Sequence, residues 1–258
     1  MKAAAGAILL MLGIGLVVLY SSGRSLWYPY YAKLRGLRSV EEVVEQIKQS
    51  RDLPFEIKAW EELLLVGLKA ERSLEVYGRR GAGGDWHPIT AYPFTGYSGK
   101  LGPKLREGDR QIPEGIYRIE SLNPNSSFHL SMKVNYPNQW DRQMGAEEGR
   151  ERLGGDIFIH GKSGTVGCIP IGDTAIEELF ILVATVGVDR CEVLLLPWDF
   201  RRRKDEPQVE EIEWEGLLYR QLREAVLEAF PEGDGVEAIE TLGKRAGANL
   251  GLERWAGV

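Results

Sequence analysis

Cysteine and histidine are scarce in this chain, with two of the first and three of the second among 258 residues. Neither recurs at the close spacing of a zinc-ligand cluster, which excludes a zinc-built fold. Positive charge is not in excess either: the formal net charge is −6, which leaves no basic footprint for nucleic acid. Gly161-Lys162-Ser163 lacks the earlier glycine of a phosphate-cradling loop, so no nucleotide site is read there. Internal repeats and low-complexity arrays are also absent. What remains is an ordinary globular composition, 43% hydrophobic and 27% charged, in a chain long enough for one large domain or two small ones.

Long apolar runs are rare as well, and the exception is at the N-terminus. Residues 3–22 are uncharged and rich in Ala, Leu, Ile and Val, with Lys2 just ahead, and such a stretch can span a bilayer core. Leu19-Tyr20-Ser21-Ser22-Gly23 offers a poor cleavage site, so an uncleaved anchor is expected in place of a removed signal. Arg24, Lys33, Arg35 and Arg38 outnumber Lys2 and the terminal amine, and that count alone favours the opposite orientation. The aromatic cluster Trp27-Tyr28-Pro29-Tyr30-Tyr31 suits a membrane interface, or equally a lid on the soluble part.

The scarce residues meet in one place. His160 precedes Cys168 by eight residues. Ile157-Phe158-Ile159 is a strand-type run ending at His160-Gly161, and Gly161, Gly164 and Gly167 make a tight loop in which backbone can approach a ligand closely. A free thiol with a pKa of about 8.5 is mostly protonated at neutral pH, so a nucleophilic cysteine needs an imidazole or a positive dipole. His160 can supply the first. With glycine just before Cys168, the N–H groups there can point at a developing oxyanion. The local chemistry reads as cysteine acyl transfer.

Elsewhere, Ser39 and Glu42 have capping-box spacing, and Val40, Val43, Val44 and Ile47 follow at helical period, which predicts a short amphipathic helix to about Ser50. Residues 63–68, 73–77, 86–95, 116–122 and 128–134 read as strands with Gly, Pro and Asp between them, and 79–85 as a hairpin loop. After Cys168 a helix is predicted with Asp173 as N-cap and Gly187 as its stop, then a buried strand over 191–196. Arg201 to Lys204 reads as a solvated face in a linker, with some affinity for anionic lipid or wall polymer, followed by an amphipathic helix over 214–230. The tail from Pro231 is glycine-rich and uninformative.

The strand ending in His160-Gly161, the glycine-containing loop and Gly167-Cys168 with an apolar residue after it resemble the active-site signature of the YkuD-type L,D-transpeptidases. Thr165 matches the family's Ser/Thr, whereas Val166 stands where a second histidine is usual and Ile169-Pro170 where an apolar residue and Arg or Asn are common. The short loop resembles the murein L,D-transpeptidase (YafK-like) branch. Two upstream stretches agree with that branch: Glu107-Gly108-Asp109-Arg110-Gln111-Ile112-Pro113-Glu114-Gly115-Ile116-Tyr117, and Phe128-His129-Leu130-Ser131 followed by Asn135-Tyr136-Pro137-Asn138. The resemblance covers roughly residues 62–197.

It implies a mainly β fold, a sandwich or barrel with accessory helices. It also implies acyl transfer on peptidoglycan stem peptides through a thioester, with Cys168 as nucleophile, His160 as general base and acid, and Gly167, Thr165 and Gly161 around the oxyanion and substrate. No metal or organic cofactor is implied. The expected organisation is a membrane segment at 1–24, a helical linker at 25–61, a catalytic domain at 62–200 and a helical extension at 201–258, with the catalytic part on the periplasmic side of the cytoplasmic membrane. The acceptor is an amine-bearing peptide or lipoprotein, or water.

Competing readings stay open at this point. A hydrolase of the same fold would cut an L,D-peptide bond or free a wall-linked lipoprotein, and a wall-binding module would carry a spent site. Cys168 could instead be bridged to Cys191, although Cys191 lies in a hydrophobic strand that suits a small core residue. His129, on a strand whose alternation opposes it to Phe128 and Leu130, faces either substrate or solvent. His87 reads as ordinary surface. Asp109 and Glu114 form a carboxylate pair of the kind glycosidases use, or simply turn chemistry.

Overall fold

The computed structural model describes residues 34–208 and 212–231. Its centre is β1 (Glu62–Leu68), whose run Leu63-Leu64-Leu65-Val66 has no polar alternation because both its faces are covered. Leu63 and Leu65 point into one apolar cluster and Leu64, Val66 and Leu68 into another. β2 (Ser73–Arg79), β3 (His87–Pro93), β4 (Gly115–Asn123), β5 (Ser131–Val134), β6 (Phe158–His160), β7 (Ile169–Pro170) and β8 (Cys191–Leu196) complete one eight-stranded sheet in the order β3-β2-β1-β8-β4-β5-β6-β7. β1–β8 and β6–β7 are parallel, and the other pairs antiparallel. Thr95, just beyond β3, donates to the Pro170 carbonyl of β7 at 2.9 Å, so the sheet curls until chain from its two edges meets.

Helices cover both faces. On the first, α1 (Val40–Ser50) carries the expected capping box between Ser39 and Glu42 and buries Val43 and Ile47. It packs beside α3 (Asp173–Val186), whose Ile176, Leu179, Phe180, Leu182 and Val183 are fully buried. On the second face α4 (Glu215–Ala229) buries Leu218, Tyr219, Leu222 and Val226 against β1, β2 and β8. Full burial of one such side chain contributes about 1.5–3 kcal/mol, so α4 is a large share of that second core.

Some sequence expectations give way here. The strand predicted over 128–134 begins only at Ser131, because His129 sits at φ 74, a left-handed conformation that ends the extended run. Asp173 is the first helical residue and not the cap; Gly172 occupies that position at φ 85, which frees the Asp173 carboxylate to accept from the Lys162 N–H at 2.7 Å. Arg201 is not solvated: its side chain is 1% exposed and bonds Glu75 (2.7 Å), Asp199 (2.8 Å) and the Tyr77 hydroxyl (2.8 Å), because α4 and its Phe230 end close over that part of the sheet. A further helix, α2 (Gln139–Glu147), went unpredicted. Among the described residues no helix is long and apolar enough to cross a membrane. The span expected at 3–22 and the aromatic cluster after it lie outside the described residues.

Candidate active site

Strands β5, β6 and β7 mount the scarce residues. Ser131 pairs with His160, Lys133 with Phe158, Ile159 with Ile169 and His160 with Pro170. By the period of two, Met132, Ile159 and Ile169 face the core, where each is fully buried, while Ser131, Lys133, Phe158, His160 and Pro170 share the opposite face. Cys168 sits in a bend immediately before β7, and its sulfur reaches the Asp156 carbonyl just ahead of β6, the strand that ends at His160.

His160 is 2% exposed, with the Phe128 ring packed on it at a centroid distance of 4.5 Å. Its Nδ1 lies 2.6 Å from the Gly161 carbonyl oxygen. A carbonyl only accepts, so Nδ1 carries the proton and the lone pair of the neutral ring is on Nε2. Burial pushes the His160 pKa below its ordinary value, partly offset by that hydrogen bond.

The Cys168 thiol donates to the Asp156 carbonyl at 3.5 Å, so in this state its partner is not the imidazole. Burial raises the pKa of the thiol; a hydrogen bond from the Phe158 N–H opposes this, the Asp156 charge adds to it and Lys104 works against it. The resting pair is therefore neutral thiol and neutral imidazole, in contrast to the imidazole-held thiolate that the local motif led us to expect. Iodoacetamide labelling of Cys168 should accordingly be slow at pH 7 and climb steeply above pH 9, later than for a free thiol. Labelling already maximal at pH 6 would refute this reading of the site.

The loop between them is braced from several sides. Thr165 Oγ1 accepts from the Cys168 N–H at 3.0 Å and donates to the Cys168 carbonyl at 2.7 Å. Gly167, at φ 94, donates its N–H to Ser98 Oγ at 2.7 Å, and a β-carbon there would come to 3.0 Å from the Gln111 carbonyl. Both N–H groups expected to face an oxyanion are thus held by hydroxyls, which satisfies donors partly withdrawn from water. Gly161 is confined more tightly, since a β-carbon would lie 2.6 Å from Asp173 Oδ1 and 2.7 Å from the Phe128 carbonyl.

Other residues singled out in the sequence have partners of their own. His129 Nε2 is 2.6 Å from Glu177 Oε1 on α3, and Glu177 is also paired with Arg51 at 3.2 Å. Asp109 pairs with Lys104 and accepts from the Leu105, Arg106 and Gln111 N–H groups, whereas Glu114 is buried against Lys69, so the two acids do not form a glycosidase pair. Cys168 and Cys191 are both free, with β4, β5 and β6 between Cys191 in β8 and β7 beside Cys168. Ser98 was missed, since a lone serine in a glycine-rich loop carries no periodic signal. Among the described residues no cluster of three or more His, Cys, Asp or Glu could hold a metal.

The family model for the L,D-transpeptidase catalytic domain (YkuD) matches residues 64–193, half of the chain. Two YafK proteins of Escherichia coli, from strains K12 and O157:H7, whose own assignment as L,D-transpeptidases is provisional, are each 34% identical over 117 residues. That match spans 45% of this chain and 44% of those proteins, less than half of their length. Among solved structures, the helical cell shape determining protein Pgp2 from Campylobacter jejuni is 20% identical, with 62% of this chain and 57% of that one covered at a TM-score of 0.44. Bd1075 from Bdellovibrio bacteriovorus is 21% identical over 66% and 55% at a TM-score of 0.40, and neither likeness carries weight for function.

Proposed function

The chain belongs to the L,D-transpeptidase catalytic domain (YkuD) family, and on that premise we propose that it transfers acyl groups of peptidoglycan stem peptides through a thioester on Cys168. The observation that carries this is a histidine with its lone pair fixed on Nε2 at the end of β6, and a loop cysteine, its backbone clamped by Thr165, whose sulfur lies against Asp156 just ahead of that strand. On binding substrate the thiol leaves the Asp156 carbonyl and gives its proton to His160 Nε2 as sulfur attacks the acyl carbon. The carbonyl oxygen gathers negative charge at the Gly167 and Cys168 N–H groups, displacing the Ser98 and Thr165 hydroxyls that otherwise accept from them. Collapse breaks the C–N bond, and the amine leaves with the proton that Nε2 carried. An incoming amine or water then gives a proton to Nε2 and releases the acyl group from sulfur.

The substrate assigned by this reading is a stem tetrapeptide cut after its third residue, a diamino acid joined through its L-centre, with release of the terminal D-alanine. The reaction takes place on the periplasmic side of the cytoplasmic membrane, where the 3–22 segment would hold the enzyme. Incubating the purified chain with isolated sacculi and analysing the fragments by mass spectrometry tests it. Loss of terminal D-alanine with new cross-links or exchanged acceptors is the expected result, and loss without exchange would make water the acceptor. Fragments unchanged relative to a Cys168→Ala control would end the proposal.

A further inference from the structure

The two hydroxyls that meet the N–H groups beside the nucleophile differ in what their own protons do. Thr165 Oγ1 accepts from the Cys168 N–H and donates to the Cys168 carbonyl, so its proton is spent. Ser98 Oγ accepts from the Gly167 N–H at 2.7 Å, and its O–H has no acceptor among the described residues. A hydroxyl carries one donor and two lone pairs, so Ser98 keeps a donor in reserve beside the oxyanion position. Its mount is fixed on both sides. Ahead of it, the Thr95 N–H donates to the Pro170 carbonyl at 2.9 Å, Thr95 Oγ1 donates to the Lys162 carbonyl, and Gly96 lies so near the Ser163 carbonyl that a β-carbon would come within 2.0 Å. Behind it, the Lys100 N–H donates at 2.6 Å to the side chain of Gln111, whose carbonyl lies close beside Gly167.

We infer that Ser98 is a further catalytic residue, a role that rests on the acyl-transfer reading: its O–H donates to the oxyanion as a third donor beside the Gly167 and Cys168 N–H groups. An oxyanion that takes the Gly167 N–H binds the donor that Ser98 Oγ holds at rest, so it arrives in contact with that hydroxyl. The hydroxyl gives up its lone-pair contact and turns its proton to the incoming oxygen. The exchange is favourable, because a hydrogen bond to an ionised oxygen is roughly twice as strong as the neutral one it replaces. As sulfur bonds to the acyl carbon the carbonyl π pair moves onto oxygen, and it returns when the C–N bond breaks. Ser98 keeps its proton throughout, stabilising charge without transferring anything. Full charge on that oxygen develops only on the way to the tetrahedral intermediate, whereas the bound ground state presents a neutral carbonyl. The contribution therefore falls on kcat more than on KM.

D-Alanine release from a stem tetrapeptide gives kcat and KM. Iodoacetamide labelling of Cys168 supplies the control, because alkylation displaces iodide from saturated carbon and develops no oxyanion. Ser98→Ala should lower kcat about a hundredfold, the loss of one oxyanion donor, with KM within about twofold of wild type and labelling unmoved at every pH. Ser98→Thr, which keeps the donor, should stay within about tenfold of wild-type kcat. An unchanged or raised kcat in Ser98→Ala would reduce the hydroxyl to a filler of the resting site and overturn the inference. Labelling slowed in step with kcat, a Ser98→Ala chain that does not fold, or a Ser98→Thr chain as slow as Ser98→Ala would make Ser98 a brace of the loop and overturn it as well. Each of these results leaves acyl transfer intact. A wild-type chain that releases no D-alanine and takes no acyl group on Cys168 would remove the acyl-transfer reading and this role with it.

Discussion

Cys168→Ala is expected to lower D-alanine release by at least about a thousandfold, because the variant lacks the atom that carries the acyl group. Cys168→Ser should fare little better, since a hydroxyl is a far weaker nucleophile for a base of depressed pKa. Neither change should disturb the fold: Cys168 is partly exposed, and the Thr165 clamp holds its backbone, not its sulfur. Cys191→Ser should show the opposite pattern. That thiol is 1% exposed in β8 with its pKa driven up by burial, so a hydroxyl there loses stability by about 1–3 kcal/mol while turnover persists. Activity should also fall as pH drops through the depressed pKa of His160, below about 6.5, since an imidazolium cannot take the thiol proton. His160→Ala should abolish that acid limb together with most of the rate.

Glu114→Gln is expected to be the most destabilising conservative substitution in the chain, by about 3–5 kcal/mol in urea unfolding. Glu114 is fully buried, with Lys69 Nζ at 2.8 Å from Oε1, the Gly102 N–H on the same oxygen at 2.8 Å, and the Tyr219 hydroxyl on Oε2 at 2.8 Å. Lys69 spends its remaining donors on the Gly102 and Ile112 carbonyls. Burial already pulls the Lys69 pKa down, and Glu114 is what holds it up. Removing that negative charge leaves an uncompensated ammonium in the interior, whatever hydrogen bonds the amide preserves. The loop closed by this pair carries Ser98, which accepts from the Gly167 N–H, and Gln111, whose carbonyl lies close beside Gly167, so turnover should fall as well. Lys69→Met combined with Glu114→Leu should recover much of the stability, because the ions then leave together. A Glu114→Gln midpoint within about 0.5 kcal/mol of wild type would mean the pair is not what holds the loop.

What could be read from the sequence was what depends on neighbours along the chain. The helix from Val40 was legible because Ser39 and Glu42 satisfy each other across one turn, and the buried strand at 191–196 because six residues carry their own apolar pattern. Asn138 and Asp141 make the same reciprocal bonds at the start of α2, at the same spacing. That helix escaped notice because it buries only Met144 and Gly145, so no apolar period marks it. The strand over 128–134 was started too early because alternation does not reveal a left-handed residue, and His129, whose ring meets Glu177 across the fold, is one.

Arg201 was read as solvated for a similar reason. Nothing near it in sequence announces Glu75 or Tyr77, which reach it only once β2 and the C-terminal helix share a sheet face. The pairing of a histidine with a cysteine was legible because eight residues separate His160 from Cys168, whereas Ser98 and the Lys69–Glu114 pair meet their partners only across segments far apart in the chain.

Intact-mass measurement of the chain mixed with a stem tetrapeptide and quenched in acid tests the central claim most directly. A thioester should appear as a mass increase equal to the tripeptide acyl group less one hydrogen, map to the peptide containing Cys168, and vanish with hydroxylamine. D-Alanine released with no adduct at Cys168, or by a chain in which Cys168 is alanine, would contradict it.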